Sequence, residues 1–207
     1  MLRDRTRWLR WLAAILIAAT AYAAVRYHVA QPEPWSRFFF WTANKSLSFA
    51  AAALLAASYL SVPRHRTLAR ALGLCGFSLA LVHSFVSWPL LGPANYPKLY
   101  LDGALNNAGL WCLATGAAAL AALFAPAFAS RNGAREKLGP ERWAAVQRLG
   151  YSALALTALH VFTIGLKGWL TPRAWPAALP PITLLSFLIA AAPVLRWLFS
   201  RKGNADA

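Results

Sequence analysis

Two histidines stand inside two apolar stretches of this sequence, and they are the side chains with the clearest chemical potential. His83 lies within GLCGFSLALVHSFVSW (73–88), and His160 lies within YSALALTALHVFTIGL (151–166). An ionisable side chain in the hydrocarbon of a membrane is rare, faces the protein interior and usually marks a functional site. Imidazole binds metal ions, including haem iron, and it also relays protons. Both histidines can take part in metal binding or in a proton relay only if their rings lie close together.

The two histidines occupy matching depths on two predicted helices. His83 is 13 residues past Arg70, and His160 is 12 residues past Arg148. At 1.5 Å per residue both rings lie roughly 18–20 Å beyond these basic anchors, in the outer half of a hydrocarbon core about 30 Å thick. Small residues, which leave volume for a flat ligand or let helices pack closely, share the two helix faces. They are Gly76, Ala80, Ser84, Ser87, Ala153 and Thr157.

Composition predicts that lipid is the main solvent of this chain. Its 207 residues are 59% hydrophobic and only 13% charged, whereas about 25% of the residues of a soluble domain are charged. We therefore predict an all-α, polytopic membrane protein in which residues 1–207 form a single domain, one bundle of six transmembrane helices. The predicted helices cover approximately residues 8–27, 38–62, 71–91, 106–129, 143–169 and 182–199.

The distribution of basic residues predicts the orientation of the chain. The net charge is +15, from 21 Lys and Arg against 6 Asp and Glu. Six of the 21 fall on one side of the predicted membrane, which leaves 15 on the side of the two termini; the six are Arg26, Arg37, Lys45, Lys98, Lys167 and Arg173. The positive-inside rule then places both termini in the cytoplasm. Because the cations sit in short loops between apolar runs, we do not expect nucleic acid as a partner.

Two neutral imidazoles on neighbouring helices favour a b-type haem whose iron is bound from both axial sides. Such ligation leaves no open coordination position, which favours electron transfer over oxygen chemistry. Haem propionates need cationic or hydrogen-bonding partners, and the predicted ones on the outer side are Lys45, Arg37 and Asn44, with Arg26 and Lys98 also on that side. A lysine that extends its ammonium to the interface is the other interpretation of Lys45.

Other interpretations of the histidines stay open. They could form a hydrogen-bonded pair in a non-redox binding or structural membrane protein, or relay protons in a small proton-linked transporter. The transporter is disfavoured because no Asp or Glu lies within a predicted span. We predict that His28 and His65 are solvated surface residues. Cys75 and Cys112, which form no CxxC motif, are predicted to be small buried side chains.

Two segments give the chain a resemblance to the ferric reductase-like transmembrane domain family, most of all to the haem-binding membrane subunits of bacterial periplasmic methionine sulfoxide reductase systems. They are ARALGLCGFSLALVHSFVSW (69–88) and LGPERWAAVQRLGYSALALTALHVF (138–162). The resemblance implies that His83 and His160 are the axial ligands of haem b. Gln147 stands where the family has a further histidine, 13 residues before His160, which implies one haem rather than two.

The resemblance also implies partners and a location. The chain has no GxGxxG motif and is expected to lack a flavin or nicotinamide domain, so it would be the electron-transfer subunit of an oxidoreductase without a catalytic domain of its own. Electrons would come from membrane quinol, with quinone as a candidate second cofactor, or from a separate flavoprotein that carries FMN or FAD. They would leave to a periplasmic redox partner such as a sulfoxide reductase. The expected location is the bacterial inner membrane.

Overall fold

A computed structural model describes residues 2–61 and 65–203, and these residues are almost entirely helical. The all-α prediction is confirmed. The described residues form seven α-helices: α1 (Leu2–Ala24), α2 (Ala43–Ser61), α3 (Arg66–Ser87), α4 (Asn107–Ala129), α5 (Ala134–Leu138), α6 (Pro140–Trp169) and α7 (Ile182–Gly203). A two-stranded antiparallel hairpin, β1 (Tyr100–Leu101) and β2 (Ala104–Leu105), precedes α4.

Five segments of the described chain are long and apolar enough to cross a membrane, by length and composition. They are Trp8–Val29, Arg66–Leu90, Asn107–Ala129, Pro140–Trp169 and Pro176–Ser200. Helix α2 is not among them, so a sixth span remains a prediction. Its hydropathy is lowered by Asn44, Lys45 and four serines, of which Asn44, Ser46 and Ser58 are buried. The polar groups of α2 therefore face protein rather than its surroundings.

The helix ends differ from the predicted ones where irregular turns occur. A π-helical turn, Val25–Val29, extends α1 beyond the predicted boundary, and a second one, Phe38–Thr42, leads into α2. The short helix α5 lies in a segment that was expected to be a loop. In the hairpin, Asp102 and Gly103 have φ values of 50° and 80°, the left-handed conformation that a two-residue type I′ turn requires.

Helix α2 lies at the centre of the packing, against α1, α3 and α7, while α4 packs along α6 and α6 along α7. The contact between α2 and α3 is close because Gly76 has no side chain. A Cβ atom at Gly76 would lie 3.0 Å from the Leu55 backbone nitrogen and 3.2 Å from the Ala51 carbonyl oxygen. Large apolar side chains such as Phe85 and Trp88 point outward instead, with 77% and 78% of their surface exposed, which suits contact with lipid.

The two histidines lie toward one end of this arrangement. Here α3 ends and α2 begins, and the loop that carries Tyr96 lies over the first turn of α2. We call it the outer end, after its predicted side of the membrane.

Candidate functional site

His83 lies one turn before the end of α3, and the amide of Asn44 fixes its ring. Its Nδ1 is 2.8 Å from Asn44 Oδ1. Asn44 is fully buried in the first turn of α2, and its Nδ2 donates to Ser87 Oγ at 2.9 Å. Both ends of the amide are thus used, so the carbonyl oxygen faces the imidazole and the ring proton lies on Nδ1.

His160 has an equivalent partner on a different pair of helices. Its Nδ1 donates to the backbone carbonyl oxygen of Cys112 in α4 at 2.8 Å. A carbonyl can only accept, so this bond also places the ring proton on Nδ1. The α4 backbone comes this close because of Gly116, where a Cβ atom would lie 2.8 Å from His160 Nδ1 and 3.1 Å from Cε1. Sequence reasoning missed Gly116, since a glycine in an apolar helix has no distinctive pattern.

The remaining ring nitrogens, Nε2 of His83 and Nε2 of His160, are free for a ligand. In the described part of the chain no hydrogen bond reaches either atom, and neither is a fully buried atom without a partner. A histidine that binds a metal through one nitrogen almost always donates its other N–H to a carbonyl or carboxylate, which fixes the tautomer and the ring orientation. Both histidines have this arrangement.

The two rings lie in the same region of the protein. They are near enough for an electrostatic interaction, although α3 and α6 are not among the closely packed helix pairs. Each side chain lies deep in the protein and yet is only half-buried by accessible surface. Neither ring is therefore completely enclosed by described protein atoms.

The donor set favours a metal that brings most of its own ligands. Among residues 2–61 and 65–203 no group of three or more His, Cys, Asp or Glu side chains is placed to hold a metal ion. Structural zinc needs four protein ligands and catalytic zinc needs three, so two histidines alone do not suit it. Haem iron takes four ligands from the porphyrin, so one or two ligands from the protein are enough, and histidine is a common one.

His28 is a correction to the sequence analysis, because it is buried rather than solvated. Only 8% of its surface is exposed. Its Nδ1 donates to the Glu33 carbonyl oxygen at 2.8 Å, its Nε2 accepts from Thr42 Oγ1 at 2.8 Å, and its ring stacks on Trp35. The cause is the π-helical turn after α1, which directs His28 toward the second π-helical turn. With both nitrogens bonded, His28 offers no free ligand atom, while His65 is exposed as predicted.

The predicted cationic partners of a propionate have different surroundings. Arg37 pairs with Glu33 at 3.0 Å and donates to Asn95, and Arg26 donates its Nε to the Pro180 carbonyl oxygen at 2.9 Å. Lys98 is exposed, although the partial burial of its ammonium lowers its pKa. Lys45 lies deep beside the His83 site, while Asn44, predicted with it, contacts His83 itself.

Among residues 2–61 and 65–203, the inner half of the helix assembly shows no second arrangement of this kind. The Gln147 side chain donates to the Pro126 carbonyl oxygen at 3.2 Å and to Ser130 Oγ at 3.3 Å, so it satisfies groups at the end of α4. Tyr59 donates to the Gln147 carbonyl oxygen at 2.9 Å, and its ring lies against the backbone of Gly150. Aromatic contact continues from Tyr59 to Tyr151 and from Tyr151 to Trp197.

We expect Gly150→Ala to destabilise the protein by about 1–3 kcal/mol, the usual cost of overpacking. The new methyl group would overlap the Tyr59 phenol, and thermal unfolding in detergent measures the effect. Gly168→Ala in the same helix is the control, because its nearest neighbour would be Pro181 Cγ at 4.0 Å. Adding Tyr59→Phe, which removes the closest atom, should restore part of the loss. Equal stability of the two glycine variants would contradict the described packing.

Comparisons with known proteins give no independent assignment. The sequence matches no protein-family model and no curated protein sequence. The residues of the site and their contacts are therefore the basis on which a function can be proposed.

Proposed function

We propose that this protein is an integral membrane electron-transfer subunit that binds one b-type haem through His83 and His160. The observation that carries the proposal is that the two imidazoles have the same tautomer and the same free nitrogen. Each holds its proton on Nδ1 by a bond to a carbonyl oxygen, and each has a free Nε2. A structural pair of buried histidines would be expected to use both nitrogens of each ring, as His28 does.

The residues around the histidines have defined tasks in this proposal. Asn44 and the Cys112 carbonyl orient the rings and hold the proton of each neutral imidazole on Nδ1, which leaves a lone pair on each Nε2. Gly116 allows the second of these bonds to form. When bound, haem would supply reversible one-electron exchange, and two axial histidines would leave no iron position for substrate.

The side chains in the inner half of the helix assembly agree with the binding of a single haem. A second haem on α6 would need a ligand near position 147, where the Gln147 amide is engaged with α4. The Tyr59 ring lies beside it, against Gly150. These contacts support the proposal of one cofactor site, at the outer end.

We further propose how the subunit is placed and supplied with electrons. Six spans, with α2 as the polar second one, would put both termini in the cytoplasm of a bacterium and the haem site near the outer face of its inner membrane. Membrane quinol or a separate flavoprotein would be the electron donor. The acceptor would be a periplasmic redox protein such as a sulfoxide reductase. The basis for these partners is the resemblance of the two histidine-bearing segments together with the outer position of the site.

The test is to express the full chain with added haem, purify it in detergent and measure haem and protein together. We expect a single haem per chain, with sharp α and β bands on reduction, because two histidine ligands make haem iron low-spin. A colourless protein would contradict the electron-transfer function and favour a non-redox membrane role. Two haems per chain would contradict the single outer site and the interpretation of Gln147.

A further inference from the structure

Lys45 holds a cation deep in the protein without a protein acceptor. No acceptor among the described residues lies within hydrogen-bond distance of its Nζ. Glu33, the acidic residue whose charge acts on Lys45, is bonded to Arg37. Moving an ammonium out of water costs several kcal/mol unless other groups compensate for the lost hydration. The three donors of this ammonium therefore need an acceptor that the described residues do not supply.

Aromatic rings surround the ammonium and hold it in place. Lys45 Nζ lies 3.9 Å from the ring centroid of Trp41, 5.3 Å from that of Tyr27 and 5.6 Å from that of Tyr96. Cation–π contacts each stabilise a cation by about 0.5–2 kcal/mol, which offsets only part of the desolvation cost. They also restrict the side chain, so this geometry differs from a lysine that extends freely to the interface.

A second donor in the same pocket also lacks a partner. Trp41 Nε1 is buried and makes no hydrogen bond in the described structure. An unmade bond of this kind costs about 1–3 kcal/mol. The Lys45 ammonium and the Trp41 indole N–H are thus two donors in one aromatic cluster that have no acceptor among the described residues. The Lys45 side chain keeps accessible surface, so its ammonium is the donor that such an acceptor can reach.

We propose that Lys45, within the cage of Tyr27, Trp41 and Tyr96, is a carboxylate-binding site, and that the carboxylate is one propionate of the proposed haem. This assignment rests on the proposed function. The Lys45 ammonium is close enough to His83 for an electrostatic interaction. The other predicted cations are less suitable, because Arg37 and Arg26 already have acceptors and Lys98 is exposed.

The proposal is tested by titrating apo-protein in detergent with protohaem and with its dimethyl ester, in which both carboxylates are blocked. Lys45→Met should weaken binding of protohaem about 10–100-fold, the range for a hydrogen bond to a charged group. It should leave binding of the ester unchanged. The control is Arg173→Met, which removes one positive charge from an exposed side chain at the outer end and should bind protohaem as wild type does.

A second readout needs no haem. Because Lys45→Met removes a desolvated charge, we expect the apo form of the variant to unfold at a Tm higher than that of wild type by about 2 °C or more. A lower Tm would show that the ammonium stabilises the fold and would contradict the proposal.

The outcomes of the titration distinguish a wrong assignment of Lys45 from a wrong proposed function. If wild type binds protohaem but Lys45→Met binds it equally well, or loses affinity for both haem forms alike, the Lys45 assignment is wrong and the haem function stands. If wild type binds neither form, the proposed function fails, and the propionate assignment fails with it.

Discussion

Replacing His83 or His160 with alanine is expected to eliminate the low-spin haem spectrum of the purified protein. Each substitution removes one of the two free Nε2 atoms at the site, and no other described imidazole can replace it. Both nitrogens of His28 are bonded, and His65 is exposed. Because axial bonds hold the iron in place, the expected result is loss of haem during purification.

His65→Ala is the matched control, since it removes an imidazole that lies away from the site. It should retain the full haem content and the sharp reduced bands. Thermal unfolding of each apo-protein would show that the alanine variants are folded. If either His83→Ala or His160→Ala keeps the wild-type reduced spectrum, that histidine is not an axial ligand.

Chemical rescue makes the same prediction more specific. The alanine variants lack only the imidazole ring, so free imidazole at millimolar concentration should restore the low-spin bands when haem is supplied. A purely structural role for the histidines predicts no such return.

Hydropathy was sufficient to predict the helical class and the approximate positions of the long helices, since runs of about 20 apolar residues have few alternatives. It was less informative where polar residues are buried. Helix α2 carries Asn44 and Lys45, and its mean hydropathy is too low for it to be identified as a span. Its environment is set by the neighbouring helices, which hydropathy does not describe. The Asp102-Gly103 pair favours a two-residue hairpin turn, and hydropathy alone does not detect it.

The candidate site was predictable in its histidines but not in their partners. Equal spacing from a basic anchor predicts that His83 and His160 lie at one depth, and this stays a prediction. The bond from His83 to Asn44 joins residues 39 positions apart, and it depends on how α2 crosses α3, which no local pattern encodes. The acceptor for His160 is a backbone carbonyl, so no side-chain type could have revealed it. His28 was misplaced because a π-helical turn has no simple sequence signature.

Removing the Asn44 amide is expected to weaken haem binding by about 10–100-fold, the usual effect of losing a hydrogen bond that orients a metal ligand. In Asn44→Leu the Nδ1–H of His83 would lose its carbonyl acceptor and remain in an apolar environment. Titration of apo-protein with haem measures the affinity. The backbone carbonyl of Cys112 would still orient His160, so haem binding should be weakened and not lost.

The reduction potential separates an electronic role of Asn44 from a packing role. An acceptor on Nδ1–H makes Nε2 a stronger donor to iron, which stabilises the ferric state. Asn44→Leu should therefore raise the potential. Asn44→Asp, which offers an ionised acceptor of nearly the same shape, should lower it. If Asn44 only fills space, both variants should shift the potential in the same direction or leave it unchanged.

Thr42→Val provides the control within the same turn of the chain. It removes the hydroxyl that bonds His28 Nε2, so it also deprives a buried histidine of a partner close to the start of α2. His28 has no free nitrogen for iron, and the variant should therefore change neither haem affinity nor potential, although it should lower the thermal stability. A shift in potential as large as that of Asn44→Leu would assign the effect to the general packing of the outer end and not to the bond between Asn44 and His83.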